Sequence, residues 1–287
     1  MSTSIVRTYT TEGFVVAADG RARDAGNRTV ASDQVQKIFP IGGGEIQTAA
    51  YSISGTAFIG LDDGSDVMFD LQQQMKSATQ VYSMRRAGTV LDYAERVCST
   101  VHQSLAKAKL AGQLDYPESN SLDASEPGAT IARILFDGYC KGIPTRVKAR
   151  LFHRDQVLAP LEVLQQELAP GCPWCQGPEQ LTDMMWGSAK KGNFMIPYEK
   201  RAVELVRHPN ETLRIHAQMA HAYISACSDP EVIAVDPEQC AGIGGCIHIA
   251  TIDPKTGFRW IPGFEPKAAG SVPRSLSTAS RDRCSQR

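Results

Sequence analysis

The chain has no apolar run near the roughly 20 residues that a bilayer-crossing helix needs, so no helical membrane span and no membrane partner are expected. It carries almost no net charge, -1 over 287 residues, which removes any global attraction to nucleic acid or to an anionic surface. The amino-terminal stretch lacks the charged-then-apolar pattern of a secretory signal, because Arg7 interrupts it, and a cytoplasmic location is the expectation. Internal repeats are absent, which speaks against a solenoid or propeller. A second close cysteine pair is also missing. Of eight cysteines, Cys172 and Cys175 form a CxxC, but Cys240 and Cys246 stand six apart, so a four-thiolate zinc site is not expected. The thiols read as reduced, and the CxxC as part of a Pro/Gly-rich loop. His216 and His221 are five apart on one predicted helix and point to different faces, which argues against a zinc pair. No metal and no cofactor is expected.

What is present is material for a sizeable core: 42% of residues are hydrophobic and 21% charged. Residues 4–9 and 14–18 read as a hairpin with Gly13 at the turn, followed by a strand from Val30 to Phe39 and a second hairpin about Ser54-Gly55. Acidic residues at 62–66 read as the start of a helix burying Val67, Phe69, Leu71, Met75 and Val81. A second long helix is predicted from Val90 to Leu110. Thr130 to Phe136 and Arg146 to Phe152 read as a hairpin, 160–168 as a short helix, and 198–206 and 210–227 as two more helices. Strands at 232–235, 246–252 and 258–261 close the chain. This order, with strands and helices grouped rather than alternating, predicts an α+β fold of antiparallel sheets with helices packed outside. One domain is expected over 1–263, with a loop or insertion near 154–181 and a Ser/Arg/Pro-rich disordered tail over 264–287.

The chemistry-bearing residues gather at the beginning. Thr3 lies almost at the chain start. Asp19 closes the strand Gly13-Phe14-Val15-Val16-Ala17-Ala18-Asp19, and Lys37 closes Ala31-Ser32-Asp33-Gln34-Val35-Gln36-Lys37. A hydroxyl, a carboxylate and an ammonium in these places could make a nucleophile whose base is its own amino terminus.

These first 60 residues resemble the proteasome β-subunit family and its bacterial relatives, the N-terminal nucleophile hydrolases. The setting Ala17-Ala18-Asp19-Gly20-Arg21-Ala22, counted from Thr3, carries the resemblance. The family's Lys then falls at Lys37, and the Gly whose N–H faces the substrate carbonyl at Gly55 in Ser54-Gly55-Thr56-Ala57. Weaker matches follow: Ser188 in Gly187-Ser188-Ala189 would be a supporting serine, and Gly244-Gly245 would open a late strand. The late Asp and Ser of the family fall at Cys240 and Ile243, and Ser2 stands before Thr3.

The resemblance implies a four-layer αββα sandwich and a threonine-type peptidase, with Thr3, Asp19, Lys37, Gly55 and Ser188 as its catalytic set. It places the primary specificity pocket at Ala22, Val35, Ile53 and Ala57, all small or branched apolar residues, which suit an uncharged, medium-sized side chain. It further implies a homo-oligomeric ring acting on peptides or unfolded proteins, and leaves open whether an unfoldase feeds it. Two other readings stay open: an inactive scaffold member of the same fold, and an amide hydrolase that uses Ser2.

Overall fold

The computed structural model describes residues 3–23, 30–41, 48–56, 58–60, 68–116, 128–176, 195–234, 237–240 and 242–267. Its strands are β1 (Ile5–Thr10), β2 (Gly13–Asp19), β3 (Ala22–Arg23), β4 (Val30–Ser32), β5 (Ile38–Pro40), β6 (Ala49–Gly55), β7 (Phe58–Gly60), β8 (Met68–Asp70), β9 (Ala129–Cys140), β10 (Ile143–Arg154), β11 (Val157–Leu158), β12 (Glu162–Gln166), β13 (Pro173–Gln176), β14 (Ile247–Asp253) and β15 (Gly257–Trp260). Its longer helices are α1 (Leu71–Val81), α2 (Val90–Leu110), α3 (Ile196–Leu205) and α4 (Glu211–Cys227).

Two antiparallel sheets form the middle of the molecule. The first runs β13-β1-β2-β14-β15, and the second β11-β10-β9-β6-β5 with β12 also on β10. Strand periodicity sends alternate residues to opposite faces. Ile5, Phe14, Val16, Ala18 and Ile252 of the first sheet therefore meet Ile38, Ala50, Leu135 and Tyr139 of the second in one apolar layer. On the other face of the first sheet, Val6, Val15, Ala17 and Ile249 pack against Leu213, Ala217, Ala220 and Ile224 of α4. On the outer face of the second, Tyr51, Ile53, Ile134 and Phe136 pack against Tyr93, Val97, Val101 and Leu105 of α2. The layers run helix, sheet, sheet, helix, the four-layer αββα sandwich expected from the sequence. Every residue of β2 is buried, because this strand is covered on both faces.

Local chemistry explains the helix starts. Asp70, Thr89 and Asn210 each accept a backbone N–H with the side chain, capping α1, α2 and α4. The helix expected from 62–66 is corrected here. Met68–Asp70 is a strand paired with β7, and α1 begins at Leu71. Residues 61–67 lie outside the described residues. Val81, expected in the core, is 75% exposed at the helix end.

Other expectations are also corrected. The strand expected over Val30–Phe39 is two short strands, β4 and β5, because 33–37 bends away to carry Lys37. No hairpin turns at Ser54-Gly55; β6 continues through Gly55, paired with β9 as far as Ala132. The helix expected over 160–168 is instead β12, where Ala149↔Val163 pairing offers its backbone a ladder. The strand expected over 232–235 is corrected at 232–233, where Pro230–Ile233 forms a short helix capped by Asp229; residue 235 lies outside the described residues. Within the stretch expected as a loop or insertion, β11, β12 and β13 are sheet strands, and Cys175 of the CxxC pairs with Val6. At the expected tail, Phe264 packs beside α4, and its carbonyl accepts from Ile249; residues beyond 267 lie outside the described residues.

Charge as well as apolar surface joins the sheets. Arg7 of β1 is fully buried and points across the layer. Its Nε donates to Asp137 Oδ2 of β9 at 2.5 Å, and Nη1 and Nη2 donate to Gln166 Oε1 and the Phe136 carbonyl. Arg146 of β10 donates to the other Asp137 oxygen at 3.0 Å. Burial pushes the Arg7 guanidinium down to about 10, with Asp137 opposing the shift. Two buried guanidiniums thus depend on one carboxylate. Asp137→Ala should therefore destabilise the fold by about 3–5 kcal/mol in urea titrations, the usual cost of orphaning a buried charge. A loss under about 1 kcal/mol would show that Asp137 is no clamp.

Candidate active site

Lys37 is positioned by the bend before β5. Its carbonyl accepts the Ile53 N–H at 3.0 Å, fastening the bend to β6, and its side chain runs to the end of β2. There the ammonium donates to Asp19 Oδ1 at 2.7 Å and to Thr3 Oγ1 at 3.3 Å. Thr3, Asp19 and Lys37 are 8%, 0% and 6% exposed, so the cluster is screened little by solvent. Three of the five residues expected to act together are thus in hydrogen-bond contact.

Asp19 is held in place by the backbone. Ser4 N–H donates to its Oδ1 at 2.9 Å, and Arg21 and Gly244 N–H donate to its Oδ2 at 3.2 Å each. Both carboxylate oxygens thus have backbone donors, which fixes the orientation of the group. Asp19 N–H in turn donates to the Ser4 carbonyl, which ties the segment bearing Thr3 to the base of the site. Burial lowers the Lys37 ammonium below its ordinary value; attraction and hydrogen bonding to Asp19 oppose this, and the Arg21 charge adds to the lowering.

Loops lace around this centre. Arg21 Nε donates to Asp33 Oδ1 at 2.7 Å, Val35 N–H to the Gly20 carbonyl, and Cys246 N–H to the Asp33 carbonyl. The Gly244-Gly245 pair lets this lacing close. A Cβ on Gly244 would lie 2.6 Å from the Arg21 guanidinium carbon. One on Gly245, where φ is +74°, would lie 2.5 Å from the Asp33 carbonyl oxygen.

Gly55 stands at the end of β6, two residues beyond the Ile53 N–H that binds Lys37. Its φ is +103°, and a Cβ there would lie 2.5 Å from the Ile131 carbonyl oxygen, so only glycine fits. Of the expected pocket residues, Ala22 and Val35 are half-buried, and Ile53 is 4% exposed among the core residues beneath α1 and α2. Ala57 and Ser188 lie outside the described residues. Cys240 and Ile243, at the positions of the family's late Asp and Ser, are fully buried.

The site contacts that the sequence pattern does not announce are the backbone donors at Ser4, Arg21 and Gly244. The Gly-Gly pair was a visible signal for Gly244; nothing in the sequence announced that its N–H would bind Asp19. Among the described residues no three His, Cys, Asp or Glu side chains group to hold a metal ion, and no helix is long and apolar enough to cross a membrane.

No family model matches the chain, and neither does any curated protein. One similar solved structure is a Gly-1 mutant of Anbu from Hyphomicrobium sp. strain MC1, 14% identical over 90% of this chain and 87% of that one, with a TM-score of 0.47. At that score the likeness carries nothing further for the site, which stands on its own geometry.

The Lys37 environment makes a signed prediction. The unfolded chain holds the Lys37 proton more tightly than the folded one, so unfolding takes up a proton between the folded value and the ordinary 10.5. The stability of the native chain relative to Lys37→Met should therefore rise with pH through that window in paired denaturant titrations. A flat difference would mean that the ammonium is solvated, and a falling one that attraction to Asp19 outweighs burial. Asp19→Asn, which turns one acceptor oxygen into a donor facing backbone N–H groups, should cost about 2–4 kcal/mol in the same assay.

Proposed function

We propose that the chain is an amide hydrolase of the N-terminal-nucleophile type that cleaves peptide bonds, with Thr3 as its nucleophile. One observation carries this reading: a buried ammonium bonded at once to a hydroxyl at the chain start and to a carboxylate locked by three backbone donors. A clamp between sheets, such as Arg7 with Asp137, needs only opposite charges; here the ammonium also reaches a hydroxyl, which a structural pair does not require.

The chemistry follows from the groups. Removal of Met1 and Ser2 leaves the Thr3 amine free. An α-amine titrates near 7.7–8.0, so close to neutral pH a useful fraction is an unprotonated base. That amine takes the Oγ1 proton, directly or through a water, as Oγ1 bonds to the substrate carbonyl carbon. Lys37 lowers the energy of the developing alkoxide and disfavours a charged amine beside it. Asp19 keeps Lys37 charged and aimed. The Gly55 N–H is assigned to the oxyanion of the tetrahedral intermediate, a contribution typically of about 3–4 kcal/mol. Collapse breaks the C–N bond, and the α-ammonium returns its proton to the leaving amine. Water then cleaves the Thr3 ester and restores the hydroxyl. Ser188 is proposed to orient the amine or the bridging water.

The pocket residues Ala22, Val35, Ile53 and Ala57 carry no charge, so the proposed substrate is a peptide or unfolded protein with an uncharged, medium-sized residue before the cleaved bond. A homo-oligomeric ring is proposed to present these sites, with the cytoplasm as its location.

Fluorogenic peptides with such residues should be hydrolysed by the native chain and at least about a thousandfold more slowly by Thr3→Ala, the scale on which loss of a nucleophile is felt. Intact mass and N-terminal sequence should show the active chain beginning at Thr3. Equal rates for Thr3→Ala would reject the nucleophile. Preference for acidic or basic residues would reject the pocket, and an active chain beginning at Ser2 would move the role to that serine.

A further inference from the structure

Three buried features take no part in the chemistry above: the Arg7–Asp137–Arg146 group, the thiols between the first sheet and α4, and His248. The arginine group is accounted for as a clamp, and the thiols are free cysteines with no disulfide among the described residues. His248 goes further.

His248 sits on β14 opposite Ala18, the residue before Asp19. It is 2% exposed, and its Nδ1 is a buried polar atom without a hydrogen-bond partner. The Trp260 ring packs edge-on against it, with centroids 6.4 Å apart. In a neutral imidazole protonated on Nε2, Nδ1 is an acceptor, and an orphaned buried ring nitrogen calls for an explanation. The catalytic cluster offers one, since the Lys37 ammonium carries three hydrogens and the described contacts use two, to Thr3 and Asp19. The register sets His248 against Ala18, next to Asp19 and the Lys37 that it holds, so the spare donor and the ring nitrogen without a partner belong to the same end of β2, a pairing that an ordered water could satisfy.

We propose that His248 is a positioning residue for Lys37, a neutral imidazole whose Nδ1 accepts the third ammonium hydrogen through a bridging water. The proposal rests on the peptidase reading for its kinetic consequence, though not for the contact itself. Among the described residues, the charged groups facing the imidazole are Lys37, from the segment before β5, and Asp19, at the end of β2; the ring against it from β15 is the uncharged Trp260. Burial pushes the imidazole below its ordinary 6.5, the Lys37 charge pushes it the same way, and Asp19 opposes. The ring is therefore neutral at pH 7 and able to accept. When acid protonates it, Nδ1 becomes a donor, the bridge is lost, and a second cation stands beside Lys37. Protonation is unfavourable in the folded state, so its effect appears only below pH 6.5.

The test uses the full-length chain with labelled histidine and lysine, the native protein beside His248→Leu and His248→Asn, all shown folded by circular dichroism. Histidine spectra should show a ring carrying its proton on Nε2, with Nδ1 unprotonated, down to below pH 6.5. In His248→Leu the Lys37 ammonium should titrate lower than in the native chain, and in His248→Asn close to native. These readouts need no activity. On a cleavable peptide, His248→Leu should lose about tenfold in kcat with KM little changed, the worth of one hydrogen bond to a charged group. The acid limb of the native rate profile should steepen below pH 6.5 as a second proton binds, and keep the slope of one proton in His248→Asn. An Nδ1-protonated ring, or a Lys37 titration indifferent to the leucine, would overturn the proposal even if Thr3 proves to be the nucleophile. The expected spectra with no peptidase activity would leave the contact standing and sink the enzymatic reading instead.

Discussion

A lysine ammonium in a nearly dry place needs a negative partner, and that partner must itself be held. This constraint governs the molecule around the candidate site. Asp19 ends β2 where three backbone segments can turn N–H groups toward it: the chain start at Ser4, the turn at Arg21 and the late loop at Gly244. The carboxylate so fixed holds Lys37, and Lys37 reaches the Thr3 hydroxyl. The charges stay buried because two sheets close over them. If the sheets parted, water would screen the pair, and the ammonium would lose the influence over a hydroxyl that low dielectric gives it.

The sandwich is built to keep that layer shut. Most of it is ordinary apolar packing, with Ile5, Phe14, Ile38 and Leu135 from facing strands. The unusual part is the second buried charge group, in which Arg7 crosses from β1 to Asp137 on β9. Arg7 and the Thr3 segment share β1 and its lead-in, so one strand carries the clamp between sheets and leads from the proposed nucleophile. Trp174 lies over the Arg7 guanidinium at 5.2 Å, and its strand β13 extends the first sheet beyond β1. The stretch containing the CxxC therefore serves the sheet edge.

Much of this was legible in the sequence, and the misses have physical causes. α2 and α4 were readable because their apolar stripes are long and capped. β1 and β2 were readable from apolar runs bracketing Gly13. The helix misread over 160–168 is β12, a strand whose weak local preference is overridden by the backbone ladder β10 offers. The acidic run at 62–66 resembled a helix start, but Asp70 is the residue whose side chain caps α1. At the site, Thr3, Asp19 and Lys37 were named from position and pattern. Their contact geometry and the backbone donors could not be, because a backbone N–H has no sequence signature. His248 was visible only as one letter after a Gly-Gly pair; the role proposed for it comes from a strand register that sets it against Ala18.

The central claim is that a hydroxyl at the chain start is made nucleophilic by this buried ammonium. It is tested most directly by trapping: an acylating electrophile on a short uncharged peptide is added at neutral pH, and the modified residue is mapped by mass spectrometry. A single adduct is expected on Thr3 of a chain that begins there, and none once Lys37 is replaced by Met. Labelling confined to cysteines or surface lysines, or a Thr3 adduct that forms as fast without Lys37, would contradict it.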